Sequence, residues 1–270
     1  MNDINRVGDF HDDWRLHFDS LESIPQTPNI DVLAVGSNQG GETFPVAVLG
    51  LLPQLSGLYL RNFKIDFANF GGHLPERLET IHLEEMKIVG SWFPHLGGFA
   101  ALKLLTLRRT SVETCDASIS DTKLQALSSL WNLTAIDATL PKNFFPSLAK
   151  YATGMEQLAV VSTAGLTLKC FDTIAGHRRL KGLRLENVGI TGDWIKSIRK
   201  CDSLEVVTLE GSPEIRSHEL VELAHLPHLT LRWLDFDHAK EPAEKLRELK
   251  IKWNEIKKAK FGTVDGTDRY

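Results

Sequence analysis

The chain has 270 residues, 42% hydrophobic and 24% charged, with 31 basic against 35 acidic side chains and a formal net charge of −4. That composition fits a globular domain. No run approaches the roughly 20 apolar residues of a membrane-spanning helix, and the charge balance lacks the basic footprint of a nucleic-acid binder.

The amino-terminal segment is acidic, with a net charge of −5 through residue 31. It interleaves Phe10, Trp14, Leu16, Phe18 and Leu21 with its charges, a pattern suited to covering an apolar edge. It shows no basic stretch followed by an apolar one, as a secretion leader would. Cys115, Cys170 and Cys201 fit neither a disulfide framework nor a paired-cysteine zinc site, so the expected compartment is the cytoplasm.

From Ile30 onward one phrase recurs. Its clearest copies are Leu55-x-x-Leu58-x-Leu60, Leu78-x-x-Ile81-x-Leu83, Leu102-x-x-Leu105-x-Leu107, Leu180-x-x-Leu183-x-Leu185 and Leu204-x-x-Val207-x-Leu209. Weaker copies begin at Ile30, Leu133, Met155 and Leu231, which makes nine units at a mean step of about 25 residues. A 31-residue step follows Leu102, where the polar run Glu113 to Thr122 reads as an inserted loop. In each copy the last two aliphatics alternate with variable residues, so a short strand can bury one face and expose the other. Between the strands lie helix-spaced apolar sets such as Phe144, Phe145, Leu148 and Tyr151, or Trp194, Ile195 and Ile198. At the carboxyl end Lys240 to Lys260 carries eight basic and four acidic residues. There Leu246, Leu249, Trp253 and Ile256 form one stripe of an amphipathic helix.

The phrase and its step resemble the leucine-rich-repeat family over roughly Ile30 to Phe236. The resemblance implies an α/β solenoid: a curved parallel sheet on the concave side, helices and turns on the convex side. The expected organisation is an amino-terminal cap over 1–29, repeats over 30–238, a capping helix over 239–262 and a disordered tail over 263–270. The chain departs from the family at one column. Three residues after the third core aliphatic the family often places Asn or Cys. Here that column reads Phe63, Met86, Thr110, Pro141, Thr163, Val188 and Ser212, while Asn62 and Asn187 stand one residue too early.

No catalytic constellation emerges. His225-Leu226-Pro227-His228 has a Pro in its spacing and no acidic base between the histidines. The run Gly36-Ser37-Asn38-Gln39-Gly40-Gly41 lacks the Lys-Ser/Thr ending of a phosphate loop. No cofactor or metal is therefore expected, and the chain reads as a non-enzyme. Recognition is left to the exposed columns. One patch offers Tyr59, Arg61, His82, Glu84, Arg108 and Arg109, with residue types enriched in binding hot spots. A more acidic one offers Arg184, Glu186, Glu210, Trp233, Asp235 and Asp237. The expected function is a protein-binding module, adaptor or inhibitor/immunity-type, which engages one protein partner through the concave face, with no nucleic-acid ligand and a monomer favoured. The alternative is a peripheral membrane protein that uses the basic carboxyl-terminal helix.

Overall fold

The computed structural model describes residues 30–38, 40–66, 75–90, 96, 98–113, 125–211, 215, 217–226, 230–233 and 243–261. The expected amino-terminal cap, the loop around Cys115 and the tail over 263–270 lie outside them. Twelve strands follow in chain order: β1 (Val32–Gly36), β2 (Gly57–Arg61), β3 (Lys64–Asp66), β4 (Thr80–Glu84), β5 (Lys87–Val89), β6 (Leu104–Arg108), β7 (Ser111–Glu113), β8 (Asn132–Ile136), β9 (Gln157–Val161), β10 (Gly182–Glu186), β11 (Val206–Glu210) and β12 (Thr230–Trp233). The helices are α1 (Phe144–Tyr151), α2 (Leu168–Gly176), α3 (Gly192–Ile198), α4 (Ser217–Leu220) and α5 (Ala243–Phe261).

Nine strands form one parallel sheet in the order β1-β2-β4-β6-β8-β9-β10-β11-β12, one strand per repeat. The central aliphatics alternate inward, so Leu58, Leu60, Leu183, Leu185, Val207 and Leu209 are all buried. A helix is about 10 Å wide and a strand spacing about 4.8 Å, so stacked repeats fan out on the helical side and the strand face becomes concave. On the convex side the early repeats return through a second sheet, β3-β5-β7, whose short strands bury Ile65, Ile88 and Val112. Later repeats return through α1 to α4, which pack in succession and seat Phe144, Phe145, Phe171 and Trp194 in the core.

The register corrects the sequence reading at two repeats. Leu105 pairs with Leu133 and Leu107 with Ala135, so the fifth phrase is Leu130-x-x-Leu133-x-Ala135 and starts three residues earlier than expected. Likewise Val207 pairs with Leu231 and Leu209 with Trp233. The slip has a simple cause: Leu133-x-x-Ile136-x-Ala138 fits the phrase as well as the true copy, whose third place holds only Ala. Counted at the second aliphatic, the steps become 25, 23, 24, 28, 25, 25, 24 and 24.

The same register explains the missing Asn column. Asn62, Glu85, Arg109, Asp137, Ser162 and Asn187 all have positive φ, between 46° and 62°, and each is the residue that leaves its strand. Each donates its backbone N–H to the last carbonyl of the next strand, as Arg109 does to Ile136 at 2.8 Å. Asn62 and Asn187 therefore fill a left-handed position that Asn tolerates well. One residue further along, other side chains satisfy the turn. Thr110 Oγ1 donates to the Leu83 carbonyl at 3.1 Å, and Thr163 Oγ1 accepts the Ala138 N–H at 3.1 Å. Met86 Sδ accepts the Phe63 N–H at 3.4 Å. The fifth repeat's member of that column is thus Ala138, not Pro141.

The register is open to a direct test. Ala135 is fully buried and Ile136 half-buried on the concave face. Ala135→Arg is expected to lower the unfolding free energy by about 3 kcal/mol or more, and Ile136→Arg by less than about 1 kcal/mol, in urea denaturation. The reverse order would restore the offset register.

Candidate functional site

Each five-residue strand sends its first, third and fifth side chains to the concave face. The middle row reads Ala34, Tyr59, His82, Thr106, Thr134, Ala159, Arg184, Thr208 and Arg232. Thr134 thus stands in the middle row at the fifth repeat, and Arg232, not Asp235, is the register partner of Thr208. Trp233 is the register partner of Leu209, the third aliphatic of its phrase. Asp235 and Asp237 lie outside the described residues.

Around β2 and β4 the expected patch is assembled, but it is more enclosed than its residue types suggest. The Tyr59 and His82 rings stack at 6.0 Å between centroids and 27° between planes. Gly57 leaves room for the tyrosine, since a Cβ there would lie 3.2 Å from Tyr59 Cε2. His82 is 5% exposed and Glu84 8%, which corrects their expected exposure to solvent. Burial pushes the His82 imidazole down to about 4; Glu84 opposes this and Arg108 adds to it. His82 is therefore neutral at neutral pH.

Arg109 does not stand in the concave rows. It follows β6 at the left-handed exit position and joins a chain of ion pairs along that rim. Arg109 Nη2 binds a Glu84 oxygen and reaches Glu85 Oε1 at 3.0 Å, while Arg61 Nε donates to Glu85 Oε2 at 3.1 Å. On β10 Arg184 grips the buried Glu186, with Nη2 to Oε2 at 3.0 Å. That bond first, and the nearby Glu210 charge after it, raise the guanidinium's affinity for its proton. In the described part of the expected acidic patch, Arg184 thus offsets the charge of Glu186, while Glu210 stands beside Glu186 in the sheet register.

Sequence reasoning missed the surface between these clusters. The strands β8 (NLTAI) and β9 (QLAVV) contain no charged residue, and on β6 (LLTLR) the one charge is Arg108. Leu104, Ile136 and Val161 are half-buried there beside Thr106, Thr134 and Ala159. The offset register concealed it by placing Ile136 in the core. On the opposite rim Trp131 is 39% exposed, between the ion pairs Lys103–Glu79 at 2.7 Å and Lys181–Glu156 at 2.9 Å.

At the carboxyl end α5 packs on α4 and on the 3-10 turn Val221–His225, with Trp253 buried. Its described exposed charges alternate in sign: Arg247, Glu248, Lys252, Glu255 and Lys258. No helix among the described residues is long and apolar enough to cross a membrane.

The depressed His82 value has a stability consequence. Below its ordinary value of 6.5 the unfolded chain takes up a proton that the folded chain refuses until about pH 4. Stability is thus expected to fall as pH drops through that window, by at most roughly 3 kcal/mol from this group. His82→Gln should flatten the profile in urea denaturation between pH 7 and pH 4; parallel profiles for the two proteins would remove His82 as the cause.

No family model matches the chain, and none of the curated proteins matches it in sequence. Solved structures do resemble it. An internalin from Listeria monocytogenes superposes with a TM-score of 0.52 at 18% identity, covering 80% of this chain and 58% of its own. An internalin C2 from the same species gives 0.49 at 18% identity, covering 76% of this chain and 81% of its own. This chain therefore spans 58% of the length of the first internalin. The likeness is one of fold, and with the nine-stranded parallel sheet it makes the chain a divergent leucine-rich-repeat solenoid.

Proposed function

We propose that the chain is a non-enzymatic protein-binding module that docks a protein partner on its concave face, centred on β6, β8 and β9. The observation that carries this reading is the uncharged patch on β8 and β9, bounded by ion-paired clusters on both sides. Interface cores are depleted of charge and rimmed by polar groups, and repeat solenoids offer their concave surface for such contacts. An adaptor and an inhibitor or immunity-type protein would both use the surface in this way. A cytoplasmic setting is part of the same proposal, supported by Cys170 and Cys201, which are free and buried thiols.

The test is affinity capture from a source lysate with quantitative mass spectrometry, followed by calorimetry on the purified partner. The double variant Ile136→Arg/Val161→Arg, checked for an unchanged fold by circular dichroism, is expected to weaken binding by about 2 kcal/mol or more. A partner bound equally by both proteins would move the contact off the concave face, for instance to the rim around Trp131.

A further inference from the structure

Most cations around the concave face are already engaged: Arg61 with Glu85, Arg109 with Glu84 and Glu85, Arg184 with Glu186. Arg108 differs. Among the described residues its guanidinium forms no ion pair and no hydrogen bond, although the residue is half-buried. Glu84 lies beside it in the sheet register, but the carboxylate of Glu84 is taken by Arg109. On its other side Arg108 is paired in register with Ile136, the first residue of the uncharged patch in its row. A guanidinium that has lost part of its hydration and gained no partner is poised for a planar, bidentate acceptor.

Resting on the concave-face reading, we infer that the partner presents an acidic side chain to Arg108, with an aliphatic or aromatic residue nearby that lies on Ile136 and Val161. The neighbouring arginines are neutralised by Glu84 and Glu85, so the site offers one net positive charge. That suits a carboxylate rather than a phosphate dianion, which is typically held by a cluster of arginines. Adjacent strands are about 4.8 Å apart, which places Ile136 and Val161 about 5 and 10 Å along the row from Arg108. Same-face residues of an extended peptide recur about every 7 Å, so the apolar residue falls within three positions of the acid.

The test is selection of peptides from a displayed random library on the immobilised full chain, on Arg108→Gln and on Arg108→Glu, with fluorescence titration of the enriched sequences. Peptides enriched on the wild type are expected to carry Asp or Glu within three positions of an aliphatic or aromatic residue. They should bind about tenfold or more weakly to Arg108→Gln, and changing the peptide's acid to its amide should then cost nothing further. Arg108→Lys should restore part of the affinity, and Arg108→Glu should enrich basic peptides instead. Peptides lost on Ile136→Arg but unchanged on Arg108→Gln would overturn the inference and leave the concave-face reading standing. Peptides insensitive to both substitutions would overturn both. Failure to enrich any sequence would overturn the inference that a short acidic segment is the recognised element.

Discussion

The structure depends on one junction repeated at six successive strands of the described sheet. The residues that leave β2, β4, β6, β8, β9 and β10 adopt a left-handed conformation, and each donates its N–H to the last carbonyl of the following strand of the sheet. For a residue other than glycine this conformation costs about 1 to 2 kcal/mol, and the hydrogen bond it completes returns a net of about 1 kcal/mol. The junction is therefore close to neutral by itself. What favours it is the stacking it permits, in which the apolar face of each strand is closed by its neighbours. Local cost and collective gain are joined in this way at Asn62, Glu85, Arg109, Asp137, Ser162 and Asn187, whose side chains otherwise have little in common.

That junction also sorts the charges. Side chains at the exit positions project from a rim, where long acidic and basic groups from successive repeats come within reach of one another. Glu85 and Arg109 meet there, and each also reaches a charged residue on a neighbouring strand. The strand rows behave differently because the period of two fixes which residues face inward. Several charges in those rows pair within their own strand, as Arg184 does with Glu186, or with a residue on the rim, as Arg61 does with Glu85 and Glu84 with Arg109.

The solenoid and most of its repeats are legible in the sequence because Leu58, Leu83, Leu107, Leu185 and their equivalents carry an unambiguous phrase. The register of the fifth and last repeats is not. Ala135 is a weak marker of a core place, and Trp233 does not look like the third aliphatic of the phrase. Two frames three residues apart therefore match equally well, and pairing with the adjacent strands decides between them. The candidate site suffers from the same ambiguity. Tyr59, Arg61, His82 and Glu84 stand out because they flank strong copies, but their burial and ion pairing depend on neighbours a whole repeat away. Ile136 and Thr134 are misplaced along with their strand, so the uncharged patch has no continuous image in the sequence.

Stability alone accounts for much of this surface. Ion pairs on the rim satisfy charges that the solenoid brings together, and Gly182 leaves room for the Gln157 side chain of the neighbouring strand. It does not account for Arg108, which gives up hydration and gains no partner among the described residues. Nor does it account for Ile136 and Val161, apolar residues in rows that face water. Each departure by itself would be ordinary on a protein surface. Arg108 and Ile136 are register partners on adjacent strands, however, and Val161 continues the same row. Sites where several local preferences are set aside together are where function is most often found, and that coincidence, more than any single residue type, singles out this part of the sheet.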